Sequence, residues 1–171
     1  SSAASDVYKR QLIYLRSWAV GELTREEVPA ADRPLIDAIE RALPVYLRHY
    51  WPNHELRNRA FIASALPAIE TLEHDVVAHL ERAYGGTWPD RAIPVDVVAY
   101  SSALGAYATA GRVVVTASGA GHQMPQAIEL LFHEASHLDE LEEPLNRAIE
   151  SAWRDAGQGE PPGRLWHDFI F

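Results

Sequence analysis

The sequence predicts an α+β fold that is mainly helical, with a small sheet placed before a helix that carries a His-Glu-x-x-His motif. Three observations predict it. The pattern is helical from Leu12 to Tyr84, short β-branched runs lie between Ile93 and Ala117, and the helical pattern returns from Pro125 onward.

Two helices are predicted in the N-terminal half. The first runs from about Asp32 to His49, with Asp32 available as a cap and Pro34 in its first turn. The second runs from Asn53 to Tyr84, where Pro67 should kink or divide it. The first helix has apolar residues close to the helical period, at Leu35, Ile36, Ile39, Leu43 and Leu47.

The middle of the chain is predicted to form the sheet. The runs Ile93–Tyr100 and Arg112–Ala117 are rich in β-branched residues, as strands are. Gly105 and Gly111 lie between them and predict a loop or a hairpin.

Helices return in the last third of the chain. One is predicted from Pro125 to about Leu141 and another from about Pro144 to Ala156, ending at Gly157. The acidic run Glu140, Glu142 and Glu143 is interpreted as a solvated face and a helix-capping cluster. A final apolar segment is interrupted at Phe171, which predicts a helix that is cut short.

The two ends shape the expected domain organisation. Residues Ser1 to Gln11 look like translated adaptor sequence and are interpreted as a non-native leader. Residues 12–171 are then expected to form a single domain that is incomplete at its C-terminus, and the cellular location stays open.

Composition excludes several classes of function. The chain has no cysteine, which excludes disulfides, thiolate zinc sites and cysteine nucleophiles. A formal net charge of -9 and the lack of a basic cluster argue against a nucleic-acid partner. No apolar run is long enough to predict a membrane span.

The motif His133-Glu134-Ala135-Ser136-His137 carries the predicted chemistry. Histidines four residues apart on a helix share one face, so a single zinc ion can bind both. Glu134 is placed to take a proton from water beside that ion. Zn²⁺ is therefore the expected cofactor, with His133 and His137 as ligands and Glu134 as the catalytic base.

These residues resemble a known family. The segment Leu130–His137 is similar to the active-site helix of the zincin metallopeptidases, and most similar to small gluzincin-like bacterial proteins. The resemblance covers about the last 75 residues. It implies that the strand Arg112–Ser118 is a substrate-side edge strand, to which an extended peptide could add. The alternative is an ordinary core strand, since nothing in the sequence marks this segment as exposed. The chain departs from the metzincin pattern, because positions 138 to 143 read Leu-Asp-Glu-Leu-Glu-Glu and supply no third histidine.

The third zinc ligand has three candidates. His167 lies in an otherwise apolar segment, where a histidine is expected either to bind metal or to form a hydrogen bond. Glu150 follows the motif on the next helix, where thermolysin-like enzymes place a glutamate, although the spacing here is shorter. A residue beyond Phe171 is the third possibility.

Two functions from different classes follow from this pattern. The first is a zinc metallopeptidase that hydrolyses amide bonds in a peptide or protein substrate. The alternative is a non-catalytic interaction protein whose metal is structural or absent. The intervening Glu134 favours the first function, because a structural site needs no base.

Overall fold

The computed structural model describes residues 13–101, 105–109, 111–119, 124–162 and 165. The predicted α+β class is confirmed, since helices predominate and a small mixed sheet lies between them. The elements that lie within the described ranges are α1 over residues 13–19, α2 (Arg33–His49), α3 (Trp51–Tyr84), β1 (Val95–Val98), β2 (Ala106–Thr109), β3 (Arg112–Thr116), α4 (Gln126–Ala135) and α5 (Asp139–Asp155). No helix among these residues combines the length and the apolar character that crossing a bilayer requires.

The chain divides into two compact units after Arg59, within α3. In the first unit, α2 begins at Arg33, and its N-cap Asp32 makes no side-chain capping bond. The guanidinium of Arg33 instead donates to the Val28 carbonyl at 3.1 Å and to the Glu26 carbonyl at 2.7 Å. These bonds tie α2 to the preceding segment, in which the side chain of Val28 is buried, as is that of Ile36 in α2.

Helix α3 continues through Pro67, so of the two predicted effects, a kink or a division, the division does not occur. Proline removes one backbone donor and costs about 3 kcal/mol inside a helix. Phe61 and Ala65, six and two residues before Pro67, are buried in the core of the second unit. Burial of this face offsets the local cost, because helices in proteins are stabilised mainly by packing.

The sheet has the order β1-β3-β2, with β1 parallel and β2 antiparallel to β3. Of the two predicted possibilities, a loop or a hairpin, the structure has a hairpin of β2 and β3. Gly111 precedes β3 with a left-handed φ of 73°, a conformation that favours glycine. The predicted edge position of Arg112–Ser118 is wrong, because β3 is the central strand and is paired on both sides. A peptide therefore cannot add to β3 by backbone pairing.

The core of the second unit lies between the sheet and the helices α3 and α4. Apolar side chains from all of these elements meet there, at Phe61, Ala65, Ala106, Val113, Val115, Ala127, Ile128, Leu131 and Ala135. One face of α4 is thereby fixed against the sheet, and the end of α4 carries the motif.

The prediction of one helix from Pro125 to Leu141 is wrong, because α4 ends at Ala135 and α5 begins at Asp139. Leu138 between them is extended, with φ -72° and ψ 143°. Leu138 and Leu141 are both buried, so the change of direction keeps apolar side chains in the core. The acidic residues that follow suit a new helix start, since the N-terminal end of a helix favours negative charge.

Candidate functional site

The two histidines of the motif lie together although they belong to different local structures. His133 is in the last turn of α4, and His137 follows the end of that helix. Their Nε2 atoms are 3.2 Å apart, and their rings are perpendicular with centroids 4.8 Å apart. The structure thus brings together the pair that the sequence predicts.

Backbone hydrogen bonds explain why the pair survives the end of the helix. The N–H of His137 donates to the Glu134 carbonyl at 3.2 Å, and that of Leu138 donates to the Ala135 carbonyl at 3.3 Å. Such bonds to the third preceding residue tighten the chain into a 3₁₀ turn. The turn continues the helical rotation as far as His137, which keeps both imidazoles on one side.

A buried pair of hydroxyl groups supports this turn. Ser136 is 0% exposed, and its Oγ donates to the His133 carbonyl at 2.7 Å. The Tyr84 hydroxyl at the end of α3 donates to Ser136 Oγ at 2.8 Å. Burial raises the pKa of Tyr84, the bond to Ser136 lowers it, and the charge of Glu142 raises it, with burial the largest effect. Tyr84 therefore stays protonated and acts as a donor.

Glu142 faces the second histidine from the first turn of α5. Its Oε2 lies 3.6 Å from Nδ1 of His137, longer than a hydrogen bond but within ion-pair range. Its Oε1 lies 3.5 Å from the amide nitrogen of Asn146, one turn later. A carboxylate on the far side of an imidazole orients the ring and raises its basicity as a ligand.

The prediction of a solvated face holds for Glu140 and Glu143, which are exposed, but not for Glu142, which is half-buried against His137. All three lie in the first two turns of α5. The two exposed residues form surface ion pairs: Glu140 lies 3.2 Å from Arg91 and Glu143 lies 2.8 Å from Arg147.

The donor set can be tested against the geometry of zinc. Two imidazole nitrogens at about 2.0–2.1 Å from a tetrahedral zinc ion lie roughly 3.3 Å from each other. The 3.2 Å between the two Nε2 atoms is close to this separation, and it is also the length of a hydrogen bond between the two rings. His133 and His137 therefore fit two corners of a zinc site. Glu134, which follows His133 in the sequence, is half-buried.

The third ligand is not found in the part of the chain that the structure describes, where no three histidine, aspartate or glutamate side chains group as a metal site. Glu150 is exposed on α5, eight residues and therefore about 12 Å along the helix from Glu142. His167 lies outside the described residues.

The chain has no match among protein families, curated proteins or solved structures. The expected resemblance to zincins therefore has only the residues of the motif to support it. Any chemistry proposed for the site has to be argued from the distances given above.

A groove of about 690 Å³ opens beside the motif, between α3 and α4. One wall is formed by α3 residues that recur every fourth position, and the other by buried, half-buried and exposed residues of α4. His133 and Ser136 line this groove together with Tyr84. A molecule bound there would contact His133, the member of the histidine pair that lines the groove.

Sequence reasoning missed three residues of this site: Tyr84, Ser136 and Glu142. Ser136 occupies a variable position of the motif and Tyr84 is 52 residues away, so no spacing links them. An acidic residue soon after the motif was a visible signal for Glu142, but on one continuous helix it would face away from His137.

Proposed function

We propose that this chain is a zinc-dependent hydrolase that cleaves amide bonds, a metallopeptidase of the His-Glu-x-x-His type. The observation that carries the proposal is the 3.2 Å separation of the His133 and His137 Nε2 atoms. Two nitrogens at this distance suit one tetrahedral ion, and the glutamate that follows the first histidine supplies the base that hydrolysis requires.

His133 and His137 would hold the ion, while Glu142 orients His137 and Ser136 anchors the carbonyl of His133. A bound zinc ion supplies Lewis acidity that polarises a carbonyl group and makes water more acidic. Glu134 accepts a proton from the attacking water and donates it to the nitrogen of the leaving amine. One C–O bond forms, the C–N bond breaks, and the carboxylate of Glu134 is regenerated.

The test of the base is Glu134→Gln. We expect this variant to keep its zinc and its fold but to lose hydrolysis by about 10²–10⁴-fold, since general-base catalysis is worth that much. Whole-cell protein is incubated with each variant, and mass spectrometry counts the new peptide termini that cleavage produces. Glu143→Gln is the matched control, because Glu143 is a surface residue paired with Arg147. Equal cleavage by wild type and Glu134→Gln would contradict the assigned role.

The test of the ligands is the double variant His133→Ala with His137→Ala. We expect wild type to retain about one zinc per chain after dialysis and the double variant to retain none, because both nitrogens of the pair are removed. Elemental analysis measures the difference. Equal zinc in the two proteins would rule out this site.

One surface favours the alternative, a non-catalytic interaction protein. In the first unit, Tyr46 stacks on Tyr50 with ring centroids 6.4 Å apart, and both side chains are exposed together with Trp51. Exposed aromatic groups of this kind are enriched where proteins bind one another. If the alternative is right, Glu134→Gln leaves the binding of a partner protein unchanged.

A further inference from the structure

The groove between α3 and α4 is apolar along most of its length. On α3 its wall includes Leu72, Val76 and Leu80, spaced one helical turn apart, and on α4 it includes Ile128 and Phe132. The α3 wall from Ala68 to Tyr84 is about 24 Å long. A ligand bound along this wall would bury several of its own apolar side chains. Each Å² of apolar surface buried contributes roughly 25 cal/mol to the free energy of binding.

The groove carries one formal charge among its described lining residues, the carboxylate of Glu129. Glu129 is exposed and precedes His133 by four residues on α4, so the two share a face about 6 Å apart along the helix axis. An extended peptide rises about 3.3 Å per residue. A basic side chain that meets Glu129 would therefore lie about two residues from a peptide bond beside His133.

We infer that this groove is the substrate-binding site, and that it takes apolar peptide segments with a lysine or arginine about two residues from the cleaved bond. The inference rests on the proposed function, since the groove acquires its role from His133 at its end. Apolar side chains of the substrate pack along Leu72, Val76 and Phe132, while the basic group pairs with Glu129.

A peptide fits this charge better than an acyl chain does. The head group of a fatty acid is negative and would be repelled by Glu129 and by the net charge of -9 on the chain. A peptide supplies both the apolar side chains and the cation.

In the first experiment, whole-cell protein is incubated with the wild-type chain, and mass spectrometry identifies the residues on both sides of each cleaved bond. We expect sites that have a large apolar residue next to the cleaved bond and a basic residue about two positions away. Leu72→Ser should reduce cleavage at these sites about tenfold, because a leucine contact is lost. Leu66→Ser is the matched control: Leu66 is also on α3 and similarly exposed, 49% against 42% for Leu72, but does not line the groove.

The same profile tests the charge. Glu129→Gln should remove the preference for basic residues and keep the apolar one, whereas Glu70→Gln, on α3 outside the groove, should change neither. Cleavage without either preference, or an equal loss in Leu72→Ser and Leu66→Ser, would overturn the inference while leaving the hydrolase intact.

The second experiment measures binding and does not need turnover. A short fluorescein-labelled peptide rich in leucine and lysine is titrated with the Glu134→Gln protein, and fluorescence anisotropy reports the affinity. Leu72→Ser added to this protein should weaken binding about tenfold and Leu66→Ser should not. If wild type cleaves nothing, the hydrolase proposal fails. The titration then tests on its own whether the groove binds the peptide. Unchanged binding in Leu72→Ser, or preferential binding of oleate over the peptide, would overturn the inference.

Discussion

At the scale of single residues, Ser136 links the motif to the rest of the second unit. Its hydroxyl donates to the carbonyl of His133 and accepts from Tyr84, and no part of the residue is exposed. A serine that bonds back to a carbonyl one turn earlier competes with the helical ladder and favours a helix end. The position of His137 therefore depends on a side chain that has no direct part in the chemistry.

Tyr84→Phe tests this link. We expect the free energy of unfolding to fall by about 1 kcal/mol, since one buried hydrogen bond is lost. Chemical denaturation of wild type, Tyr84→Phe, Ser136→Ala and the double variant forms a cycle, and the coupling energy of the two side chains should be of the same size. A coupling energy near zero would show that the two hydroxyls act independently.

The pH dependence of stability follows from the same tyrosine. Because the pKa of Tyr84 is raised from 10.0 in the folded protein, the native state keeps a proton that the unfolded chain loses. Stability is therefore fully present below about pH 10 and falls as the pH rises through the folded pKa. Denaturation between pH 9 and about pH 11 should show a steeper decline for wild type than for Tyr84→Phe. Parallel curves would mean that Tyr84 does not contribute to this decline.

Glu142→Gln tests the carboxylate behind His137. We expect zinc affinity to fall about 10–100-fold with little change in stability, because the ring loses the partner that orients it. Competition with a zinc chelator measures the affinity. Glu143→Gln removes the same charge one residue away and should leave the affinity unchanged, so an equal effect of both changes would indicate a general charge effect instead.

At the scale of elements, the start of α5 is held by a close approach to the loop after α3. A Cβ atom on Gly86 would lie 2.7 Å from the Glu140 carbonyl oxygen and 3.1 Å from the Leu141 Cα atom. Both are backbone atoms, so they cannot rotate away. The contact requires glycine at this position, and it places the first turn of α5 beside the motif.

Gly86→Ala should therefore destabilise the protein by about 1–3 kcal/mol, as overpacking does. The same displacement of α5 should move Glu142 and weaken zinc binding. Gly159→Ala is the control, because a Cβ there meets no atom within 4 Å. Thermal unfolding and zinc titration of both variants measure the effects, and equal stability of the two variants would show that α5 can shift without cost.

The elements that the sequence predicts well are those whose signals are local. The start of α2 follows from Pro34 at its first turn, and β3 follows from three consecutive valines. Strand β2 has only one β-branched residue and was predicted only as part of a loop or hairpin. Its strand character comes from pairing with β3, which is a tertiary effect.

The break between α4 and α5 could not be predicted, because Leu131, Leu138 and Leu141 keep helical spacing across it. The contacts made around it are not local either, since Ser136 just before the break bonds to Tyr84, 52 residues away. The same break brings Glu142 to His137, whereas residues five apart on a continuous helix face different directions. The pair His133 and His137 was predictable, because the 3₁₀ turn still places residues four apart on the same side of the chain.

At the scale of the whole molecule, the sheet, the core and the candidate site all belong to the second unit. The histidine pair exists only when that unit is folded, because Ser136 and the start of α5 position it. A metal that binds there binds the native state and not the unfolded chain, which stabilises the fold.

Zinc should therefore raise the melting temperature. At a free concentration about 100-fold above Kd the gain is about 2.7 kcal/mol, which corresponds to about 5–10 °C for a chain of this size. Thermal unfolding with and without zinc measures it. The double variant His133→Ala with His137→Ala should show no shift, and an equal shift in both proteins would place the zinc elsewhere.

The 3.2 Å between the two imidazole nitrogens has an entropic consequence. In a flexible loop, a metal ion must first restrict the rotamers of its ligands, and each ordered side chain costs about 0.5–1.5 kcal/mol. Here the 3₁₀ turn and the hydroxyl pair impose that order when the chain folds. Capture of an ion at this pair is then governed by the dehydration of the ion and the arrival of further ligands, and not by the ordering of His133 and His137.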